Sequence, residues 1–377
     1  MKLRTLTKLA AGIVALALLA QSCATEEVKT EATYLDLPST PDVYIEGGNN
    51  DLPTLGRVLF YDPQLSVNNT ISCSSCHKQA LAFADDVAFS KGFDNRLTTR
   101  NSMPIQNLGS TFFFGGVFLP GDDQIGNVDP NFSGQVSLFW DGREHDLKQM
   151  VLIPVLNHVE MGISDLDDLA AKLETVPYYK ELFLKAYGTE EITPDRISEG
   201  LRMFILNINS RNTTFDVAQN FGTPLTALQQ KGQQLFLETY DCNACHQIQN
   251  PQGYAIFGGG FANIGLDPEY QDDGVEHVTK NPLDAGKFKI PSLRNVELTA
   301  PYMHDGRFNT LEDVVEHYSL GIEDHPNLDE RLRSGSGGPM QFNISEYEKE
   351  ALVAFLGTLT DQTMLTDPKL SNPFKKK

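Results

Sequence analysis

Two short motifs of cysteine and histidine constrain this chain more than any other feature of its sequence. They are Cys73-Ser-Ser-Cys76-His77 and Cys242-Asn-Ala-Cys245-His246. In the Cys-x-x-Cys-His pattern of c-type haem attachment, both thiols add to the haem vinyl groups and the adjacent histidine ligates the iron. A single copy would also fit a redox dithiol or half of a zinc site. Because both copies carry the histidine, the sequence predicts two covalently bound haem c groups, with His77 and His246 as the proximal iron ligands.

The first residues have the pattern of an export signal. Basic residues precede the apolar run 9–20, which is too short to span a membrane and typical of a signal-peptide core. Residues 1–22 are therefore predicted to be a signal peptide. Cys23 follows small residues, as at a bacterial lipoprotein cleavage site, so we expect it to carry a lipid anchor. Residues 23–45 would then form a tether on the periplasmic side of the cell envelope, and cleavage nearby that discards Cys23 is the alternative.

The charge balance excludes one class of partner. With 50 acidic against 30 basic residues the formal net charge is −20, and no basic stripe interrupts it. An acidic chain repels phosphate backbones, so nucleic acid is not an expected partner. The content of 40% hydrophobic and 21% charged residues is ordinary for a folded protein, which argues against a disordered, collagen-like or multi-span membrane chain.

The two haem motifs lie in segments that repeat along the chain. Gly56-Arg-Val-Leu-Phe60 precedes the first motif, and Gly232-Gln-Gln-Leu-Phe236 precedes the second. The segments that follow the motifs also match: Arg100-Asn101 and Trp140-Asp-Gly-Arg143 in the first half, Arg294-Asn295 and His304-Asp-Gly-Arg307 in the second. The same order in both halves predicts an internal duplication of a cytochrome c-like haem domain. The predicted domains are an N-terminal haem domain at 46–222, a C-terminal haem domain at 223–366 and a tail at 367–377.

Hydrophobic periodicity predicts a mainly α-helical fold. Apolar residues recur at three-and-four spacing in three segments, 165–187, 193–209 and 345–359. The candidate N-caps are Ser164, Thr193 and Ser345, the last with Glu348 in a capping box. The Gly-, Asn- and Pro-rich stretches 101–134 and 251–284 are predicted to be long loops that wrap the haems.

Taken in order, these motifs resemble the bacterial di-haem cytochrome c peroxidases, a family that includes the MauG enzymes of methylamine utilisation. The residues that carry the resemblance, besides both haem motifs, are the runs Leu55–Asp62, Arg100-Asn101, Trp140–Arg143, Glu160–Gly162, Pro291–Asn295 and Ala300–Gly306. The resemblance implies that the first haem is the peroxidatic one and that the second passes electrons to it.

Four further side chains have expected roles, which the resemblance implies for Glu160 and Trp140 and which the fit of a guanidinium group to a carboxylate suggests for Arg143 and Arg307. Glu160 would be the acid/base that moves a proton between the peroxide oxygens, a task that suits a partly desolvated carboxylate. Trp140, the only tryptophan, would relay electrons between the haems. Arg143 and Arg307 would bond haem propionates. The alternative interpretations are a surface loop carboxylate for Glu160, a core residue for Trp140 and structural turn residues for the two arginines.

One departure from the family pattern concerns the first iron. Many members carry a histidine about 16 residues after the proximal histidine, where it blocks the iron until the second haem is reduced. Phe93 occupies that position here, and no histidine lies between His77 and His145. The resting ferric haem is therefore expected to be five-coordinate or water-bound, and open to peroxide without prior reduction. The alternative is a histidine that reaches in from a distant loop.

A second departure concerns the sixth ligand of the second haem. The family usually supplies a methionine at the position of Tyr318. In the helix expected from residue 310, an apolar face at three-and-four spacing ends at Tyr318, so this residue is predicted to point inward and His317 to lie off that face. We expect Tyr318 to ligate the iron, with Met303 and His317 as rivals. A phenolate ligand would stabilise ferric iron and lower the haem potential.

A calcium ion between the two haem domains is a further feature of the family. Its ligands here would be the side chain of Asn101 and the backbone carbonyls of Thr299 and Pro301, and hard oxygen donors suit calcium. Without the resemblance, Asn101 reads as an ordinary loop residue.

The residues and the resemblance together predict an exported di-haem peroxidase that reduces hydrogen peroxide to water. A small cytochrome c or a cupredoxin is the expected electron donor, and the acidic surface would steer a basic one. A homodimer is compatible with the sequence. Two alternatives stay open: a MauG-like oxidation of a protein or small molecule through a high-valent di-haem state, and a non-enzymatic electron-transfer cytochrome with both irons six-coordinate.

Overall fold

The structure is a computed structural model that describes residues 33–35, 51–108, 137–247, 257–258 and 260–376. These residues belong to two compact units. The smaller unit contains strands β1 (Thr33–Leu35) and β6 (Phe374–Lys376), which pair antiparallel with Thr33 opposite Lys376. The larger unit, Leu37–Pro373, contains both haem motifs. The predicted signal peptide and the predicted lipid-anchor residue Cys23 lie outside the described residues.

The larger unit is helix-rich, which confirms the predicted fold class at that level. Its helices are α1 (Asp51–Tyr61), α2 (Leu147–Met150), α3 (Ile153–Leu156), α4 (Leu166–Glu174), α5 (Pro177–Tyr187), α6 (Pro194–Leu206), α7 (Thr214–Phe221), α8 (Ala227–Gln234), α9 (Glu276–Thr279), α10 (Leu311–Leu320) and α11 (Glu346–Gly357). Short strands pair antiparallel, β2 (His246–Gln247) with β3 (Phe257–Gly258) and β4 (Phe261–Ala262) with β5 (Phe288–Lys289). Among the described residues, no helix is both long and apolar enough to cross a membrane.

The single helix predicted at 165–187 is two helices, α4 and α5. Pro177 starts α5, and proline disfavours helical backbone at the residue before it, Val176. The N-cap of α4 is Asp165 rather than the predicted Ser164, because the Asp165 carboxylate accepts a hydrogen bond from the Asp167 N–H. Hydrophobic periodicity found the helical segment but not its break or its first residue.

The other two predicted helices form, with shorter ends. Thr193 caps α6, and the Ser345–Glu348 capping box opens α11. Helix α6 ends at Leu206, and the apolar pattern continues past its end to Ile208, which is buried and accepts a hydrogen bond from the Asn107 N–H at 2.8 Å. The predicted loop 251–284 contains β3, β4 and α9 in its described part. Residues 109–134 of the other predicted loop lie outside the described residues.

A close helix pair lies at the core of each half. Helix α1 packs against α6, and a methyl group on Gly56 would lie 1.9 Å from the Gly200 carbonyl oxygen. Helix α8 packs against α11 in the same way, and a methyl group on Gly232 would lie 1.8 Å from the Ala351 carbonyl oxygen. Only a residue without Cβ permits such an approach of two backbones. The buried side chains around these contacts are Leu55, Leu59, Phe60 and Phe204 in the first half, and Leu235, Phe236, Leu352 and Phe355 in the second.

Candidate haem sites and active site

The first Cys-x-x-Cys-His motif begins in a single 3₁₀ turn, Cys73–Ser75, and the His77 N–H donates to the Cys73 carbonyl oxygen at 2.9 Å. The ring nitrogen Nδ1 of His77 lies 3.0 Å from the carbonyl oxygen of Phe83. Because a carbonyl only accepts, this contact favours the tautomer with the proton on Nδ1 and the lone pair on Nε2, although the Met103 backbone is a second hydrogen-bond partner of the ring. His77 is therefore suited to the role of proximal ligand.

The second motif repeats this arrangement. Cys242–Ala244 forms the same type of turn, and Nδ1 of His246 lies 3.1 Å from the carbonyl oxygen of Pro291. The two acceptors differ in origin, since Phe83 is 6 residues from His77 whereas Pro291 is 45 residues from His246. Both histidines therefore present Nε2, the first through a local contact and the second through a long-range one.

The motif cysteines favour thioether attachment over the alternatives. None of the four is paired in a disulfide. Burial raises the pKa of Cys73 to about 12, of Cys76 to about 11 and of Cys242 to about 12, whereas a reactive dithiol needs a lowered thiol pKa. Within the described ranges, no group of three or more His, Cys, Asp or Glu side chains could hold a bare metal ion. The residues present therefore fit haem c better than a redox dithiol or a zinc site.

Glu160 lies on the loop after α3, beside the first motif. Its carboxylate accepts a hydrogen bond from the Asn157 side-chain amide at 2.8 Å. Burial raises the pKa of Glu160, and the Arg143 charge and the Asn157 bond partly oppose that shift. The charge of Glu160 in turn contributes to the raised thiol pKa of Cys73 and of Cys76, so the carboxylate is close to the cysteines that would hold the first haem.

Phe93, at the position of the family's blocking histidine, is packed against the Glu160 loop. Its N–H donates to the Glu160 carbonyl oxygen at 2.9 Å. A methyl group on Gly162 would lie 2.4 Å from the Phe93 ring, and Gly162 has a φ of +75°. Glycine is the residue that meets both requirements. The phenyl ring and the carboxylate loop therefore form one closely packed unit.

Backbone contacts from both halves of the chain hold Trp140. Its indole N–H donates to the Asn101 carbonyl oxygen at 2.9 Å. Its own carbonyl oxygen accepts from the Lys289 N–H at 2.8 Å, and the Asn101 N–H donates to the His304 carbonyl oxygen at 2.7 Å. The indole ring is therefore fixed where the two repeated halves meet.

The two Asp-Gly-Arg turns have the same backbone geometry. One hydrogen bond closes each turn, from the Leu138 N–H to the Glu144 carbonyl at 2.8 Å and from the Tyr302 N–H to the Phe308 carbonyl at 2.7 Å. The two turn glycines have φ values of +69° and +66°. The repeated sequence is therefore also repeated in backbone conformation.

The two arginines predicted to bond haem propionates have carboxylate partners in the protein. Arg143 pairs with Asp141 at 3.0 Å. Arg307 pairs with Asp267 at 2.5 Å and with Asp305 at 2.7 Å. Because two carboxylates already face Arg307, its charge is largely balanced within the protein. The assignment of both arginines to propionates stays a prediction.

Each of the two repeated Arg-Asn segments is anchored by an ion pair that the sequence did not predict. Arg100 makes a bidentate pair with Asp272, at 2.6 and 2.7 Å. Arg294 makes a bidentate pair with Asp216, at 2.8 and 2.6 Å. Such planar pairs are among the stronger hydrogen-bonded contacts in proteins. The repetition of Arg-Asn was the available signal, but the two aspartates belong to no shared motif.

Tyr318 lies on α10 close to the second motif. It is partly buried, and burial, together with the nearby thiols of Cys245 and Cys242, raises the pKa of its phenol. Its side chain also packs against the small apolar cluster that contains Ile322 and Leu328. The predicted inward direction of Tyr318 agrees with these contacts, and ligation of the iron stays a prediction, with Met303 as a rival.

His317, off the apolar face that ends at Tyr318, was expected not to point inward, and that expectation is wrong. The residue is 6% exposed, and its Nε2 lies 3.0 Å from the Ile264 carbonyl oxygen. The chain segment around Ile264 covers a second side of the helix, which periodicity within one helix could not indicate. Because Nε2 already contacts a carbonyl, His317 is a weaker rival for the iron than Tyr318.

Of the residues predicted to bind calcium, Asn101 contacts Trp140 through its carbonyl oxygen. Asn101 is 7% exposed, and its side-chain amide donates to the Val87 carbonyl oxygen at 3.1 Å. Thr299 is 8% exposed, and its peptide neighbour Ala300 precedes Pro301 in a cis bond. The amide nitrogen of Asn101 is used within the protein, so its oxygen is the atom that a cation would bind. The calcium site stays a prediction.

Known proteins resemble this chain over most of its length. A family model described as di-haem cytochrome c peroxidase matches residues 50–221. The cytochrome c551 peroxidase of Nitrosomonas europaea is 31% identical over 329 residues, which cover 86% of this chain and 84% of that protein. The methylamine utilization protein MauG of Methylorubrum extorquens is 31% identical over 321 residues, covering 84% of this chain and 80% of that protein.

Solved structures resemble it as well. The crystal structure of a MauG-like protein associated with microbial copper homeostasis matches with a TM-score of 0.71 at 30% identity, over 90% of this chain and 98% of that chain. The diheme peroxidase BthA from Burkholderia thailandensis matches with a TM-score of 0.65 at 21% identity, over 83% and 87% of the two chains, and supports the fold alone. By its two haem motifs and these relatives, the chain belongs to the di-haem cytochrome c peroxidase family of haem oxidoreductases.

Proposed function

We propose that this protein reduces hydrogen peroxide to water at the first haem, with electrons that a small periplasmic redox protein delivers through the second. The observation that carries the proposal is the partly desolvated carboxyl group of Glu160 beside Cys73 and Cys76. Peroxide cleavage needs a group that takes a proton from one oxygen and returns it to the other. A carboxyl group with a raised pKa suits both steps.

The protein's own task in this reaction is to move protons. When bound, the first haem supplies the iron at which the O–O bond is cleaved. Glu160 accepts a proton from one peroxide oxygen and donates it to the oxygen that leaves as water, and the Asn157 amide holds the carboxylate in place. The Arg143 charge opposes the rise that burial gives to the pKa of Glu160, and so favours the ionised form that can accept a proton. Each turnover consumes a peroxide, two protons and two electrons and releases two waters.

We propose that the first iron is open to peroxide in the resting enzyme. Phe93 supports this, because a phenyl ring cannot ligate iron and its backbone is bonded to the Glu160 loop. The sequence also has no histidine between His77 and His145. Reduction of the second haem would then not be needed before peroxide binds.

We propose that Trp140 relays electrons between the haems and that Tyr318 is the sixth ligand of the second iron. The fixed indole ring between the halves supports the first role. The closeness of the Tyr318 phenol to Cys242 and Cys245 supports the second. This same observation favours a second candidate function, the MauG-like oxidation of a protein or small molecule, because a phenolate ligand stabilises an oxidised haem.

We also propose an origin for the two halves, a calcium site and an export signal. The two halves are proposed to descend from one duplicated cytochrome c-like domain with haem-wrapping loops, and the matching glycine contacts, turn geometry and Arg–Asp pairs support this. The boundary at 222/223 falls between α7 and α8. A calcium ion at Asn101, Thr299 and Pro301, a signal peptide at 1–22 and a lipid anchor at Cys23 on the periplasmic side are proposed on the family and on the sequence pattern.

Spectroscopy of the resting holoprotein, combined with peroxide turnover, tests the proposed function. We expect a high-spin ferric signal from the first haem and rapid oxidation of a reduced small cytochrome c when peroxide is added. A near-infrared band that persists after peroxide, with little cytochrome oxidation, would favour the MauG-like function instead. Two low-spin haems that do not react with peroxide would contradict both enzymatic functions.

A further inference from the structure

Lys289 connects the second haem motif to the Trp140 turn. Its backbone N–H donates to the Trp140 carbonyl oxygen at 2.8 Å, and its ammonium donates to the Ser137 carbonyl oxygen at 2.6 Å. Two residues further on, the Pro291 carbonyl oxygen lies 3.1 Å from Nδ1 of His246. The short segment 288–291 therefore contacts both the proximal histidine of the second motif and the turn that carries the proposed electron relay.

The ammonium of Lys289 is a desolvated cation without an acidic partner in the described part of the chain. The residue is partly buried, and its ammonium lies deep enough that desolvation lowers the pKa of Lys289 to about 8. No carboxylate among the described residues contributes an opposing shift. Two residues earlier, Lys287 pairs with Asp284 at 3.0 Å. Charges are seldom held away from water without an opposite charge nearby, so an anion beside the ammonium would stabilise its charged form here.

The haems themselves carry such anions. Each haem c has two propionate carboxylates, and the segment of Lys289 contacts His246 of the second haem motif and the Trp140 turn, which carries the proposed relay between the haems. Arg307 is a poorer propionate partner, because Asp267 and Asp305 already balance its charge. We propose that Lys289 binds a haem propionate where the two haem sites meet. This proposal rests on haem binding and not on peroxide reduction.

The proposed contact has a consequence for the haem potential. A positive charge near the haem disfavours ferric iron, which carries one more positive charge than ferrous iron. Lys289 therefore raises the midpoint potential of the haem whose propionate it binds. Since either haem is a possible source of the propionate, the haem whose potential changes on substitution identifies the source.

Three substitutions of Lys289 in the di-haem holoprotein separate its charge from its hydrogen bond. Lys289→Gln keeps an N–H donor for the Ser137 carbonyl but removes the charge. Lys289→Met removes both, and Lys289→Arg keeps both. Lys287→Gln is the matched control, because it removes a lysine charge from the adjacent, carboxylate-paired position. The readouts are the midpoint potential of each haem in a redox titration and the propionate bending modes in resonance Raman spectra, both measured without peroxide.

We expect Lys289→Gln and Lys289→Met to lower the midpoint potential of one or both haems and to shift a propionate mode. Lys289→Arg and Lys287→Gln should keep the values of the unsubstituted protein. If Lys289→Gln leaves both potentials and the propionate modes unchanged, Lys289 serves only to hold the Trp140 turn and the proposal is overturned. Should Lys289→Met lose haem, Lys289→Gln still decides the question. Absence of peroxide turnover in the unsubstituted protein would contradict the proposed function but leave these measurements valid.

Discussion

The two halves of the molecule share their scaffold and differ in a few side chains close to the haem motifs. Each half has a glycine at a close helix contact, a 3₁₀ turn at its cysteines, a proximal histidine bonded to a carbonyl and a hairpin with Asp-Gly-Arg. The first half adds Glu160 and Phe93 near its motif, and the second adds Tyr318. If the proposed roles of Glu160, Phe93 and Tyr318 hold, the features common to both halves hold the haems, and these few side chains set the difference in haem chemistry.

The halves also differ in how the proximal histidine is oriented. His77 finds its acceptor, Phe83, within its own turn region, whereas His246 depends on Pro291 from a distant segment that also reaches the Trp140 turn. The orientation of His246 therefore depends on a contact of longer range than that of His77. We expect the first site to be the more independent of the two.

Glu160→Gln is expected to have the largest effect, because it removes the acid/base group that is proposed to distinguish the first half from the second. Without a group to move the proton, peroxide turnover should fall by about 10²- to 10⁴-fold while both haems stay bound. The measurement is the rate at which a reduced small cytochrome c is oxidised by peroxide, with haem content determined from the absorption spectrum. Glu174→Gln, at an exposed carboxylate at the end of α4, is the matched control and should keep the full rate. A Glu160→Gln protein with a near-normal rate would show that the halves do not differ in this way.

Phe93→His tests whether the first iron is open to peroxide because residue 93 is a phenylalanine and not a histidine. A histidine here would ligate the iron, so the high-spin ferric signal of the resting protein should disappear and turnover should begin only after the second haem is reduced. Electron paramagnetic resonance of the oxidised protein checks the first expectation. Phe93→Leu, which cannot ligate iron, should keep the high-spin signal. If the unsubstituted protein is already low-spin at both haems, another ligand occupies the first iron.

Tyr318→Met makes the second half resemble the more usual family pattern. Replacing a phenolate by a thioether should raise the midpoint potential of the second haem by a sizeable part of the about 0.8 V range that axial ligands span. A redox titration that follows each haem separately measures the change. Tyr347→Met, at an exposed tyrosine on α11, is the control. An unchanged potential would exclude Tyr318 as a ligand and return Met303 to consideration.

Gly56→Ala and Gly232→Ala test whether the two helix contacts are equivalent. The added methyl groups would lie 1.9 and 1.8 Å from carbonyl oxygens, so each substitution should lower the free energy of unfolding by about 1–3 kcal/mol. Chemical denaturation of the holoprotein provides the measurement. Gly335→Ala, where no heavy atom lies within 4 Å of the added carbon, should have little effect. A large loss from only one of the two substitutions would argue against equivalent scaffolds.

The smallest expected effect is a pH shift in the first half. Burial raises the pKa of Glu160 above its ordinary value of 4.5, so the rate of peroxide reduction should fall as the pH drops through that raised pKa, where the carboxylate becomes protonated. Arg143→Gln removes a charge that lowers the Glu160 pKa, and it should move this acidic limb to higher pH. The pH–rate profile measures the shift. Lys185→Gln, on the surface of α5, should leave the pH–rate profile unchanged. If the acidic limb of the profile does not move in Arg143→Gln, Arg143 does not influence the pKa of Glu160.

Much of the candidate site was predictable because its motifs consist of residues that lie close together in the sequence. The cysteine motifs, the repeated segments and the caps at Thr193 and Ser345 depend on residues a few positions apart, and the structure agrees with them. Pro177 is a sequence signal for the break between α4 and α5, but the apolar pattern continues on both sides of it, and this continuity led to the prediction of one helix. The inward direction of His317 was not visible, since it depends on a segment more than 50 residues away.

The sequence by itself determined that the chain has two Cys-x-x-Cys-His motifs of the di-haem family and a helix-rich fold, because haem attachment and helix formation follow from neighbouring residues. Only the tertiary structure decided which carbonyl orients His246, which aspartate pairs with Arg100 and that Lys289 lies desolvated beside the Trp140 turn. The physical reason is that desolvation and hydrogen-bond pairing are set by whichever distant segments pack around a polar group. The spacing of residues along the chain does not indicate which distant segments these are.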